Sequence, residues 1–380
     1  MRIGILASIL CCSILTAAAA VPEFFARRDY PSAGGRVLLG DVNGDGIPDV
    51  VAVSYVSRIS TLLGNGLGSF SAAVNMNLEF DPLSGGALAD LNGDGKMDLV
   101  VSGENYYSKA GIGVLLSNGG GTFQQPLFYQ AGSLSGALYN AVVGDFNGDG
   151  IPDVMAAGGG GMWLFTGQGG GTFNAGVQIP LALPDPFWIA SADFNGAGNL
   201  DVAMSSYPSG LYVLFGNGTF QAPVQIGTDN RAYIVAAATT RDGYTDIVVP
   251  GANIYLNNGK GSFYGPVSVP VAGEGVAVGD VNGDGIPDLA SSQGCVAYGL
   301  GGAKFTAQKC YTVANTGGWY NVALAELTTA KKGYNDIIAG LNGTVSVMAH
   351  SLMACGFRYR VVTTAVLLEL STAKARLISP

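Results

Sequence analysis

The sequence predicts an all-β fold: a seven-bladed β-propeller with four-stranded antiparallel blades. Three observations carry that prediction. An acidic nonapeptide recurs at a blade-sized interval. A Gly-rich turn ending in Phe keeps step with it. The last repeat lacks a strand that the N-terminal segment can supply.

The nonapeptide is most regular at Asp41–Asp49 (DVNGDGIPD), Asp90–Asp98 (DLNGDGKMD), Asp145–Asp153 (DFNGDGIPD) and Asp280–Asp288 (DVNGDGIPD). A fifth copy, DFNGAGNLD, spans Asp193–Asp201. Decayed copies, ATTRDGYTD at Ala238–Asp246 and ELTTAKKGYND at Glu326–Asp336, fill the remaining gaps. Successive starts are 49, 55, 48, 45, 42 and 46 residues apart. That period suits one propeller blade of four short strands.

An apolar strand follows each loop, as in DVVAVSY, DLVVSG and DIVVPG. A Gly-rich turn then leads to Phe70, Phe123, Phe173, Phe220, Phe263 and Phe305. The turn glycines supply the positive φ that a tight reversal needs, and the Phe side chains read as inter-sheet core. Each unit is therefore strand, acidic loop, strand, loop, strand, Gly turn, strand.

The seventh unit has YNVALAEL, NDIIAG and TVSVMAH but no Gly-turn-Phe strand after them. At the other end of the chain, Phe24–Pro31 (FFARRDYP) matches Phe123–Gln130 (FQQPLFYQ) in the placing of Phe and Tyr. The N-terminal segment is thus expected to complete blade seven, closing the ring and removing open sheet edges. The expected organisation is a signal peptide over 1–20, a propeller over 21–349 and a non-repeat tail over 350–380.

Composition agrees. Gly contributes 59 of 380 residues and charged residues only 12 %. The low charge excludes a highly charged disordered chain, and no Gly-X-Y period supports collagen. The formal charge is −9, which argues against nucleic acid as a partner. Arg2, the apolar run after it and Ala18-Ala19-Ala20 read as an export signal cleaved before Val21. The alternative, a membrane anchor, sits near the lower length limit of about 17–18 residues. The expected localisation is secreted, extracellular or cell-surface, with no stable membrane span after cleavage. Cys295 and Cys310 flank an apparent hairpin and read either as a disulfide or as two buried thiols, and Cys355 is left odd.

The loops carry the chemistry. Asp-x-Asn-x-Asp-Gly places side-chain oxygens at positions 1, 3 and 5, a turn-making Gly at 6 and a backbone carbonyl at 7. Calcium is a hard ion that takes six to eight such oxygens. The expected ligands are Asp41, Asn43, Asp45, Asp49 and the Ile47 carbonyl; Asp90, Asn92, Asp94, Asp98 and the Lys96 carbonyl; Asp145, Asn147, Asp149, Asp153 and the Ile151 carbonyl; and Asp280, Asn282, Asp284, Asp288 and the Ile286 carbonyl. The fourth loop keeps Asp193, Asn195 and Asp201 but has Ala197 at position 5, so its site is expected to be weak. The fifth keeps only Asp242 and Asp246. In the seventh, Lys331 or Lys332 is expected to pair with Glu326 or Asp336 in place of an ion. The four intact loops hold 12 of the 27 acidic residues, and four calcium ions would bring the net charge from −9 to −1.

These loops and the Gly-Thr-Phe turns resemble the FG-GAP and VCBS-like repeat families, including the propeller heads of integrin α chains. The resemblance covers roughly residues 24–349. It implies calcium loops on one face and adhesion or glycan binding on the other, with loops four, five and seven departing from the pattern.

On the face opposite the loops, Tyr139, Trp188, Tyr233, Trp319 and Tyr320 recur at similar offsets, with Asn140, Asp185, Asn230, Arg231 and Asn321 beside them. Such rings either stack on sugars and cations or fill the propeller mouth as packing. Catalysis has little to work with. His350 is the only His, which disfavours a His-based triad or zinc site. Glu104 and Glu274 are the candidate carboxylate pair for a secreted hydrolase or lyase. The expected function is an extracellular calcium-binding module for a glycan or protein ligand, with the enzyme as the alternative.

Overall fold

A computed structural model describes residue 24 and residues 27–350, apart from 55–56, 106, 136, 182–184, 230–232, 252, 270, 272, 274, 312–320 and 329–332. It is all-β, with no helix among the described residues, and none is therefore long and apolar enough to cross a membrane.

Seven antiparallel sheets form the blades. In blade one the strands A to D are Arg36–Gly40, Asp49–Ser54, Arg58–Leu62 and Val74–Asn77, hydrogen-bonded in that order. Blades two to six repeat the order, and three of them add a two-stranded hairpin at the Gly turn. The seven A strands are Arg36–Gly40, Phe80–Ala89, Leu138–Gly144, Pro186–Ala192, Val235–Ala237, Val276–Gly279 and Asn321–Ala325. Each touches the next, and the last touches the first, so they line a closed ring.

Blade seven is built as the sequence predicts. Within Asp336–Met348, residues 336–340 pair with Asn321–Ala325 and residues 344–347 pair with the N-terminal strand Arg28–Gly34. Arg28 faces Val347 and Tyr30 faces Val345. Phe24 adds an antiparallel bridge to His350. Across the seam, Val37 N–H donates to Asn321 Oδ1 (2.8 Å) and Asn321 Nδ2 donates to the Val37 carbonyl (2.9 Å).

The core lies between blades rather than within them. Among the described residues it forms seven clusters, one per inter-blade interface. The closing cluster joins Val37, Val50 and Leu62 of blade one to Ile338, Val345 and Val347 of blade seven. B strands are covered on both faces by neighbouring blades. This explains why Asp49–Ser54 is buried throughout and reads as a continuous apolar run instead of alternating. Cys295 and Cys310 face each other across the C and D strands of blade six and are joined as a disulfide.

Candidate functional site

Each acidic loop links strand A to strand B, so all seven lie at one end of the propeller. In the five loops that keep Asp at position 1, its carboxylate accepts the N–H groups of positions 4 and 6 at 2.6–2.9 Å. The Asn at position 3 accepts from the position-5 N–H at 2.8–2.9 Å. Glycines 4 and 6 of these loops have φ between 73° and 83°. That conformation is strained for other residues. The same frame stands in loop four without a position-5 acid, so the Asp at position 1 and the Asn at position 3 suffice to define it.

Position 9 has a role the sequence did not disclose. Asp49, Asp98, Asp153, Asp201, Asp246, Asp288 and Asp336 are all fully buried. One oxygen of each accepts the position-2 N–H, and the other accepts an N–H at the end of strand C (the second residue past the strand in six blades, its last residue in blade five), at 2.7–3.0 Å. The clamp persists in loops five and seven, where most other acids are gone. It therefore fastens the loop to the blade independently of any ion. Replacing Asp153 with Ala should destabilise the fold by about 2–4 kcal/mol, because two buried amides lose their acceptors. Denaturant unfolding of D153A against wild type measures this.

Loop six receives a cation from its neighbour: the Arg241 guanidinium of loop five donates to the Gly285 and Asp284 carbonyls at 3.0 and 3.1 Å. Burial pushes the carboxyls of Asp49 and Asp288 up to about 6, against the pull of their two amide donors. Neighbouring carboxylates at positions 1 and 5 add to the rise. Asp98, Asp153, Asp201 and Asp246 are raised for the same first cause. Loop two differs: Lys96 Nζ lies 3.0 Å from Asp94 Oδ2 and holds that carboxyl below its ordinary value.

The donor set of loops one, two, three and six (two exposed or half-exposed carboxylates, an amide oxygen and a carbonyl) fits a hard divalent cation. Among the described residues, no three His, Cys, Asp or Glu side chains already converge as a metal cluster. In loop seven, Asp336 is taken by the Leu327 and His350 amides and by His350 Nδ1 at 2.9 Å, and Glu326 accepts the Gly333 N–H. Lys331 and Lys332 lie outside the described residues.

The loops also tie blades together. The position-2 carbonyls of Val42, Leu91, Phe194 and Leu327 accept hydrogen bonds from Ser117, Gly171, Gly261 and Gly68 of the next blade. The Asp41 and Asp280 carbonyls accept from Met97 and Asn335 of the next loop.

At the opposite end, the structure divides the predicted aromatics into two groups. Five residues before the loop start, within or just before each A strand, stand Arg36, Asn140, Trp188, Tyr233 and Asn321, with Gly85 and Gly275 in the other two blades. Trp188 is only 5 % exposed and packs against Tyr233, ring centroids 4.2 Å apart. The Arg36 guanidinium crosses from blade one to sit 4.6 Å from the Trp188 ring. Trp188 and Tyr233 therefore plug the mouth. Gly85 is required there, because a Cβ would come within 2.3 Å of the Asn140 Cα.

Tyr139 goes elsewhere, and so does Phe187, one residue before Trp188. Ladder register skips Tyr139 between the pairs Leu138–Gly158 and Asn140–Ala157. It skips Phe187 between Pro186–Ser206 and Trp188–Ser205. Both are extra residues in equivalent β-bulges, which re-aim a side chain away from its strand's normal face. The two rings meet at 4.9 Å and 32°. With Asp185, Gly159 and Tyr207 they line a cleft of about 340 Å³ between blades three and four. Phe187 and Tyr207 are 43 % and 42 % exposed. Asp185 has φ 34°, and its carbonyl accepts the Tyr207 N–H at 3.2 Å.

Sequence reading missed Phe187 and Tyr207. Phe187 shares Tyr139's offset of six residues before the loop, which was the available signal. Tyr207 has none, since it arrives from the B–C turn. Trp319, Tyr320, Asn230, Arg231 and Glu274 lie outside the described residues. Glu104 stands opposite Asp81 in the blade-two ladder.

Fold and loops together define a closed seven-bladed propeller of acidic-loop repeats. The FG-GAP-like repeat model matches residues 41–101, 90–156, 145–204 and 239–291, more than half of the chain. The chain belongs to the FG-GAP-like repeat family. No curated protein sequence matches it. Among solved structures it is similar to BP39L lectin from Burkholderia pseudomallei (18 % identity, TM-score 0.65, covering 84 % of this chain and 97 % of that one). An Agrocybe aegerita lectin, described with specific recognition of non-reducing terminal N-acetylglucosamine, is similar at 20 % identity and TM-score 0.56, covering 84 % and 86 %. BBS1N in complex with ARL6DN matches at 12 % identity and TM-score 0.55, covering 88 % and 99 %. These likenesses concern the fold.

Proposed function

We propose that this chain is an exported glycan-binding propeller whose acidic loops carry calcium. One observation supports the binding role above others: two equivalent bulges turn Tyr139 and Phe187 out of their strands into a shared cleft with Tyr207. Aromatic faces left half-exposed in a concave site suit the apolar face of a sugar ring. The lectins of similar fold agree with this use.

Calcium belongs to the other end of the propeller. Asp41, Asn43, Asp45 and the Ile47 carbonyl would hold one ion, with the matching residues of loops two, three and six holding the others. The bound ion supplies positive charge to carboxylates that have little of it. Asp49 and its equivalents clamp the loop beneath. Export rests on residues 1–20, which lie outside the described residues. Loop two should bind calcium most weakly of the intact four, since the Lys96 ammonium already neutralises Asp94. Lys96→Ile should raise the affinity of that site about tenfold, read by calcium titration calorimetry.

A glycan array tests the binding role, run on the mature chain in millimolar calcium and again with chelator. Expected is a hit lost by Phe187→Ala and by Tyr207→Ala, at unchanged melting temperature. Trp188→Ala should instead lower the melting temperature, because that ring is core. No hit from folded, calcium-loaded protein would remove the glycan reading and leave a protein partner.

A further inference from the structure

The cleft between blades three and four has a charge preference as well as a shape. It is walled by the rings of Tyr139, Phe187 and Tyr207, with Gly159 and Asp185 completing the described lining. No Lys, Arg or His is among them. Asp185 is exposed, and among the described residues its carboxylate has no hydrogen-bond or ion-pair partner. The backbone presents it deliberately: φ of 34° is uncommon outside Gly, Asn and Asp, and the Tyr207 N–H fixes the Asp185 carbonyl. The Tyr139 and Phe187 rings pack against each other in an offset arrangement, 4.9 Å between centroids and 32° between planes, and both line the cleft.

From this geometry we infer that the cleft binds a ligand presenting an organic ammonium group, its cation set against the aromatic faces and paired with Asp185. This rests on the proposed binding role and names its chemistry. Ring quadrupoles attract cations within about 6 Å, and a carboxylate adds a charge-assisted hydrogen bond. At about 340 Å³ the cleft lies at the small end of ligand sites, enough for one sugar ring or a headgroup. Two sources share the chemistry: an amino sugar with a free amine, and a choline-type headgroup.

The test is calorimetry of the full mature chain in millimolar calcium at pH 6. The probes are a glucosamine oligomer, the same oligomer fully N-acetylated, and choline. The expected result is that the free-amine oligomer binds at least about tenfold tighter than the acetylated one. Asp185→Asn, which tolerates the same backbone conformation, should erase that difference and leave the melting temperature unchanged. Gly159→Leu, which fills the cleft, should abolish binding of every probe. Choline binding alone, sensitive to Asp185→Asn, would support the ammonium site and overturn the glycan role. Equal affinity for the amine and acetylated oligomers, or tenfold selectivity that survives Asp185→Asn, would overturn the ammonium site while the glycan role stands. No binding of any probe would overturn the ammonium site, and the glycan array then decides the broader role separately.

Discussion

Removal of residues 21–34 is expected to abolish cooperative folding of the propeller. The deleted strand is the outer strand of blade seven, yet it comes from the opposite end of the chain. Without it, residues 344–347 become an open edge, and Val345 and Val347 lose their cover on that side. Tyr30 no longer packs edge-on against Phe70 or accepts the Phe70 N–H. Ala33 no longer donates to Ser60. Phe24 leaves Tyr311 and His350, two rings it packs against at 4.8 and 4.5 Å. The exposed valines alone forfeit about 1.5–3 kcal/mol each. Adding the lost ladder and ring contacts gives roughly 5 kcal/mol or more, comparable with the whole stability of an ordinary domain. An unpaired edge also invites association with a second chain. Size-exclusion chromatography and thermal denaturation should show aggregation and no sharp transition. A peptide of residues 21–34 added in trans should restore both. A deletion variant that stays monomeric and melts like wild type would show that the ring does not depend on this strand.

Calcium removal is the second large effect. A ligand that binds only the folded state stabilises it by about 2.7 kcal/mol when present at a hundred times its Kd. Four such sites would contribute roughly 10 kcal/mol together. The effect should reach the whole ring, since the loops join blades: Val42 and Leu91 accept bonds from the following blade, and Asp41 is tied to Met97 of the next loop. Chelator should therefore lower the melting temperature by tens of degrees, and calcium should restore it. Magnesium should restore less, because it demands a tighter octahedral shell and releases water reluctantly. Asp149→Ala should remove about a quarter of the calcium effect, whereas Asp242→Ala in the decayed fifth loop should remove none. An unchanged melting temperature in chelator would refute calcium as a staple.

Much of this molecule was legible in its sequence, and the reason is repetition. Seven copies of a loop fix the blade count, since each copy must sit at the same turn. The missing strand after Val347 and the orphan strand before Pro31 can only satisfy each other. The loop frame was legible as well, because Asx turns and positive-φ glycines are local, set by residues within six positions. What only the tertiary structure decided is non-local. Position 9 reads as one more acid in a row, but its partners are amides such as Gly64 and Gly167, 14 or 15 residues away and visible only once strands B and C have paired. Whether Trp188 and Tyr233 line a binding face or fill the mouth is decided only when the ring closes around them and Arg36 arrives from blade one. Phe187 stands a single strand position before Trp188, and Tyr139 the same step before Asn140. A β-bulge, a matter of register between strands and not of residue type, turns them outward and brings Asp185 and Tyr207 beside them.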